Sequence, residues 1–348
     1  MKEKKSFSVL SIVFCLVFLL TIFSFTFAQA QSKVYRLRAS SPFPSAESSQ
    51  KYLLIPIAKE IEKVTDGRVK ITVHTSGALG KAQDHFDMAS SGIADIALSV
   101  QAYTAGRFPL SSVVELPFLA NTAECGSRIL WALYEKFPEF RAEYKDVKVL
   151  GLHFYGANQL LSAKKPIRNL DDMKGLKIRG TGEVQGEMIK LMGAVPLSMP
   201  APQIYESLDK GVIDGVLFAY GAQRGFKFYE VIKYATTADL FVGPMFLVMN
   251  LKKWNSLPPD IQRKIDKITG FKAAIQGGTG YDSEDKLGIQ DCLKAGVDIY
   301  QLPPKELEKW KTLCKPLWDK WVKKMEAKGL PGRKILKEAE SIAAIYNK

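Results

Sequence analysis

Residues 169–218 read NLDDMKGLKIRGTGEVQGEMIKLMGAVPLSMPAPQIYESLDKGVIDGVLF. The short apolar run 176–178 has the character of a buried strand, Gly180 and Gly182 interrupt it, and 183–192 places Val184, Met188, Leu191 and Met192 on one helical face. The expected order is strand, turn, helix, with Arg179 at the carboxyl edge of the strand. The first amides of a helix lack intrahelical partners and its dipole favours negative charge, so Arg179 and those amides form a candidate anion site. The alternative is a structural ion pair of Arg179 with Asp171, Asp172 or Glu183. Two glycines that let a ligand approach the backbone favour the ligand role, and a guanidinium fork can hold a carboxylate bidentately.

Outward from this stretch, Gly211-Val212-Ile213-Asp214-Gly215-Val216-Leu217 echoes Gly92-Ile93-Ala94-Asp95-Ile96-Ala97-Leu98. Upstream, Val69-Lys70-Ile71-Thr72 is matched to Leu176-Lys177-Ile178-Arg179. A repeat with units this long, far beyond those of a solenoid, predicts two similar α/β lobes with a ligand between them. In the first half, strands at 35–39, 69–73 and 94–99 alternate with helices at 52–64 and 85–91, the pattern of an open, mostly parallel sheet. Further on, 241–251 alternates as a strand. A helix is expected from 261 toward 293, interrupted near Gly277-Gly278, then a last strand at 297–301 and helices from 304, with Pro316 kinking one.

The chain is long enough for two lobes, and 47% hydrophobic with 24% charged residues suits a globular protein rather than a disordered or polytopic one. Lys2, Lys4 and Lys5 precede an uncharged run at 7–27 and then Ala28-Gln29-Ala30, so 1–30 is expected to be a cleaved signal peptide, with a retained anchor as the alternative. Cys125, Cys292 and Cys314 then remain; one disulfide between Cys292 and Cys314, or three buried thiols, would account for them. Removing 1–30, with three lysines and one glutamate, lowers the net charge of +13 to about +11. The densest basic region, 305–337, carries Leu307, Trp310, Leu313, Leu317, Trp321 and Met325 at helical spacing. It therefore reads as the solvated face of docked helices and not as a nucleic-acid surface.

Signatures of hydrolases, P-loop nucleotide binding and zinc proteases are missing, and His74, His85 and His153 share no ligand spacing. Asp171-Asp172 and Glu284-Asp285 read as residues at helix starts rather than as a metal cluster. Gly180-x-Gly182-x-x-x-Gly186 misses the dinucleotide fingerprint, since Gln185 stands where the third glycine belongs. No cofactor and no metal is expected.

Taken together, Asp172-Met173-Lys174-Gly175-Leu176-Lys177-Ile178-Arg179, Gly193-Ala194-Val195-Pro196, Tyr205-Glu206-Ser207-Leu208 and Gly211-Val212-Ile213-Asp214-Gly215 resemble the dicarboxylate-type solute-binding proteins of TRAP (tripartite ATP-independent periplasmic) transporters. Val64-Thr65-Asp66-Gly67, Glu115-Leu116-Pro117-Phe118 and the segment 254–258 fall in the same order, so the resemblance covers essentially the whole chain after 30. It implies an α/β fold of two lobes, a type II-like periplasmic binding protein with mixed sheets, helices on both faces, a ligand cleft between the lobes and a long lobe-spanning helix. The expected lobes are 31–156 plus 245–284, and 157–244 plus 285–348.

The resemblance further implies a periplasmic receptor, not an enzyme, that passes an organic acid to a sodium-driven membrane permease, with Arg179 pairing with the ligand carboxylate. No nucleic-acid partner is expected, and a monomer is expected, with a dimer as the alternative. A second basic position of sialic-acid-type relatives falls on Gln159, an asparagine falls on Phe218, and polar positions of the first lobe fall on Ser41, Val100 and Tyr103. Phe43, Phe118, Phe154 and Tyr155 read first as core, with Tyr155 kept as a candidate contact. A pocket that loses charge and gains Phe218 and Tyr103 suits an apolar or aromatic monocarboxylate, because buried polar groups of a sugar acid would go unpaired. The rival readings are a secreted enzyme on the same scaffold and a solute sensor for a membrane kinase.

Overall fold

The computed structural model describes residues 33–347. The expected signal segment lies outside the described residues, and among these no helix is long and apolar enough to cross a membrane.

Eleven strands form two mixed sheets among the described residues. The first has the order β2-β1-β3-β10-β4 and the second β11-β9-β5-β8-β6-β7. Their ranges are β1 Tyr35–Ser40, β2 Val69–His74, β3 Ile96–Val100, β4 Val147–Tyr155, β5 Asn158–Ser162, β6 Lys177–Gly180, β7 Val195–Ser198, β8 Gly215–Ala219, β9 Tyr234–Thr237, β10 Gly243–Asn250 and β11 Asp298–Gln301. Strands β3, β5, β8 and β10 are buried along their whole length, as strands covered by helices on both faces must be. The second sheet's core gathers Leu160, Ile178, Met188, Leu217, Phe241 and Trp310.

The repeat has a physical basis. The Asp95 amide donates to the Arg38 carbonyl at 2.9 Å while Asp95 Oδ2 accepts from the Arg38 amide at 2.7 Å. Asp214 does the same with Lys177, at 2.8 Å in both directions. Each aspartate thus pins the start of a strand to its parallel neighbour, β3 to β1 and β8 to β6. The counterpart of β6 is therefore β1 and not β2, which corrects the match of Val69 to Leu176 by one strand.

The chain passes between the sheets at 156–157, at 238–242, and along the helix Phe271–Lys294. The first two crossings lie side by side, with the Asn158 amide donating to the Phe241 carbonyl at 2.8 Å and the Leu240 amide to the Asn158 carbonyl at 3.0 Å. The helix expected from 261 toward 293 breaks at Gly270, with φ 69°, into Pro259–Asp266 and Phe271–Lys294. It runs through Gly277 and Gly278 without interruption. A side chain at Gly277 would strike the His153 ring at 2.8 Å, one at Gly280 Tyr52 Cβ at 2.4 Å, and one at Gly288 the Tyr220 carbonyl at 2.0 Å. These glycines are close-approach positions. Glu284 and Asp285 lie in mid-helix, not at a helix start, whereas Asp172 does complete a capping box with Asn169.

Pro316 opens the helix Pro316–Glu326 instead of kinking one, because a proline at a first helical position forfeits no hydrogen bond. Trp310, Leu317, Trp321 and Met325 are buried as their spacing predicts. Cys125, Cys292 and Cys314 are buried free thiols, so the three-thiol alternative describes this structure.

Candidate ligand-binding site

Strand β6 sits between β8 and β7, with Arg179 opposite Val216 on one side and Leu197 on the other. It ends at Gly180, where a Cβ would lie 2.7 Å from Ile189 Cδ1, and the chain turns through Gly182 at φ 71° into the helix Gly182–Leu191. The arrangement is the predicted strand, turn and helix. The Thr181 amide donates to Gln185 Oε1 at 2.7 Å, so one donor of the turn is already taken. A Cβ at Gly182 would point toward Ala102 and Glu115.

Arg179 is 3% exposed, and its Nε and Nη2 both donate to the Met199 carbonyl, at 3.0 and 2.9 Å. The alternative ion pairs are committed elsewhere: Asp171 pairs with Lys174 and Glu183 with Lys324, while Asp172 accepts from the Arg168 and Asn169 amides. No carboxylate lies within ion-pair distance of Arg179 among the described residues. Its guanidinium centre stands 5.7 Å from the Phe218 ring, so a buried cation leans on an aromatic face.

A cavity beside the guanidinium is lined by Phe43, Glu47, Val100, Tyr103, Tyr155, Arg179, Thr181, Ala201, Phe218, Ala222, Phe226, Met245 and Tyr281. These residues lie mostly at the ends of β3, β4, β6 and β8 and in the loops that follow them, with Met245 at the start of β10. Clefts of open α/β sheets form at such strand ends. The free space is about 20 Å³, roughly room for one water. The Tyr103 hydroxyl accepts from the Ala201 amide at 2.9 Å. Burial pushes this phenol up, against the pull of Arg179 and Ala201. It therefore keeps its proton and can donate it to an incoming anion. The apolar wall is aromatic, with Phe226 edge-on to Phe218 at 5.9 Å and to Phe43 at 6.2 Å.

Of the residues singled out from the sequence, Arg179, Phe218, Tyr103, Val100 and Tyr155 come together in this lining, and Ser41 and Gln159 are not part of it. Ser41 Oγ accepts from Gln50 Nε2 at 2.7 Å. Gln159 braces the loop at Asp239, which has φ 45°, donating to Asp239 Oδ1 at 2.6 Å and accepting from the Ala238 and Asp239 amides. Glu47, Phe226 and Tyr281 were missed, and Phe43, read as core, faces the cavity. A larger groove of about 220 Å³ lies beyond Glu115, between the loop 101–115 and the helix Pro316–Glu326. Its Lys320 and Lys324 already pair with Glu187 and Glu183, so among the described residues no buried, unpaired cation like Arg179 lines it.

The family model described as "Bacterial extracellular solute-binding protein, family 7" (DctP) matches residues 41–325. The outer membrane transporter protein TsaT of Comamonas testosteroni is 26% identical over 315 residues, 89% of this chain and 91% of that protein. A TRAP solute-binding protein from Rhodoferax ferrireducens, solved with copurified benzoate, superposes with a TM-score of 0.87 at 29% identity, covering 90% of this chain and 98% of that one. A TRAP solute-binding protein of an unidentified marine microbe, specific for aromatic acids and solved with 3-hydroxybenzoate, gives 0.87 at 28% identity over 91% and 100%. With two mixed sheets, a helix packed on both and a cleft at their strand ends, the chain belongs to family 7 of the bacterial extracellular solute-binding proteins, the periplasmic solute receptors of TRAP transporters.

Proposed function

We propose that this chain captures a small aromatic or apolar monocarboxylate through Arg179 and delivers it to the membrane subunits of a sodium-driven TRAP permease, acting as a receptor and not as an enzyme. The observation that carries this reading is the buried Arg179 guanidinium, which donates to the Met199 carbonyl, lies beside Tyr103 and Phe218, and has no carboxylate partner among the described residues. A buried cation left so is costly unless an anion completes it. Arg179 and the Tyr103 hydroxyl supply donors for a carboxylate, while Phe43, Phe218 and Phe226 supply faces for an apolar ring. Val100 and Tyr155 complete the contact set, and Ser41 and Gln159 position loops outside it. The benzoate and 3-hydroxybenzoate held by the two neighbours support the same ligand class. Residues 1–30 would direct export and be removed, and the lobes 31–156 plus 245–284 and 157–244 plus 285–348 would close over the ligand by a hinge.

Titration calorimetry with benzoate tests the reading. Arg179→Ala is expected to lose about 2–5 kcal/mol of binding free energy. An unchanged affinity would remove the arginine from the site.

A further inference from the structure

Arg179 and Glu47 are the two charged side chains in the cavity lining, and no ion pair joins them among the described residues. An acidic group in a pocket for acids needs a reason. Glu47 is 2% exposed. Its Oε2 accepts from the Ser49 amide at 2.9 Å and from the Ser49 hydroxyl, and its Oε1 accepts from the Tyr281 hydroxyl. A carboxyl oxygen offers about two acceptor positions, so Oε1, with one partner among the described residues, keeps one, while burial raises the carboxyl against the hydrogen bonds it accepts. The backbone of Glu47 is fixed as well. Gly225, which follows the helix Tyr220–Arg224, lies so close that a Cβ there would sit 2.6 Å from Glu47 Cα.

We propose that Glu47 is a specificity-determining residue: its remaining acceptor position takes a hydrogen bond from a hydroxyl or amino group on the ligand's ring, and discriminates against acids that bring a second carboxylate to that place. The inference rests on the assignment of Arg179 to the ligand carboxylate and narrows the ligand from an aromatic monocarboxylate to one that carries a ring donor. Every partner of Glu47 in the structure is a donor, so a ligand group that can only accept finds nothing to bond. A second carboxylate brings acceptors to a group whose partners are all donors. A bare ring leaves the position unfilled and forfeits the gain of a hydrogen bond.

The test is calorimetry on the full chain and on Glu47→Gln and Arg179→Ala, with benzoate, 3-hydroxybenzoate, 4-hydroxybenzoate, isophthalate and terephthalate as probes. The native chain should bind one hydroxybenzoate about 10–100-fold more tightly than benzoate. It should bind the dicarboxylate of the same geometry more weakly than benzoate. Glu47→Gln should shrink the hydroxybenzoate preference to within about 3-fold and admit that dicarboxylate, while a merely structural Glu47 would weaken all probes alike. Equal affinity of the native chain for benzoate and both hydroxybenzoates overturns the inference even where the variant does not fold. If Arg179→Ala abolishes binding and Glu47→Gln leaves the ratios unchanged, only the role of Glu47 fails. If Arg179→Ala changes nothing, or the native chain binds none of the probes, the ligand assignment fails with it.

Discussion

Glu115 is buried with one hydrogen bond, accepted from Gln185 Nε2 at 2.9 Å, and its partner belongs to the helix Gly182–Leu191 of the other sheet. Burial pushes its carboxyl up to about 8, and the bond from Gln185 offsets little of that. In the unfolded chain the group ionises near 4.5. The unfolded state therefore releases its proton first as pH rises, and folding loses up to about 1.4 kcal/mol per pH unit between these values, at most about 5 kcal/mol in all. Stability from this group is complete below about 4.5 and gone above about 8. Glu115→Gln keeps an acceptor for Gln185 and removes the titration. Melts should show the variant more stable than the native chain by a few kcal/mol at pH 8 and equal to it at pH 4.5; the same difference at both values would refute the assignment. Arg179 was legible because its strand and its glycines are sequence neighbours. Glu115 and Glu47 were not, because what defines them is Gln185 and Tyr281, 70 and 234 residues away.

Glycines carry the same lesson at the scale of an element. In a helix they read as breaks, since glycine costs roughly 1 kcal/mol there relative to alanine. That expectation placed an interruption at Gly277-Gly278, where the helix is continuous, and none at Gly270, where the chain turns. The cost is accepted at Gly277, Gly280 and Gly288 because other backbones and rings lie against them. A Cβ added at Gly186, in the helix Gly182–Leu191, would meet nothing within 4 Å, so this position reflects propensity alone. Gly186→Ala is expected to stabilise by about 0.5–1 kcal/mol. Gly288→Ala should destabilise by about 1–3 kcal/mol or more as Tyr220 is displaced. Urea unfolding of both variants decides the matter, and a shift of the same sign in each would contradict the contact argument. The alternation of strands and helices along the chain was legible in outline from periodicity and from the two Gly-x-x-Asp segments. The correspondence of β6 to β1 was not, because it depends on which strand the aspartate reaches rather than on any local pattern.

At the scale of the whole molecule, Glu284 is where the two halves meet the long helix. Its Oε1 accepts from Lys51 Nζ at 2.6 Å and from the Tyr52 hydroxyl, both in the segment that follows β1 of the first sheet. Its Oε2 accepts from Arg224, which follows β8 of the second sheet and also reaches Asp291 at 2.6 Å. Burial alone would raise this carboxyl, but the donations from Lys51, Tyr52 and Arg224 hold it below its ordinary range. Lys51 is half-exposed and the Glu284 side chain 4% exposed, so the cluster belongs between an exposed pair, worth about 1 kcal/mol, and a fully buried one, whose loss costs about 3–5 kcal/mol. Both sets of donors reach one carboxylate in this arrangement, so on the proposed hinge the cluster would favour the closed form. Glu284→Gln keeps the shape, still accepts one hydrogen bond, and drops the charge that holds Lys51 and Arg224. The expected result is a fall in Tm on the order of 5 °C, with a ligand dissociation rate several-fold faster and an association rate within about 3-fold of the native chain. With the ligand class proposed above, stopped-flow mixing gives the association rate and displacement the dissociation rate. A slower association with unchanged release would mean that Glu284 shapes the open form instead.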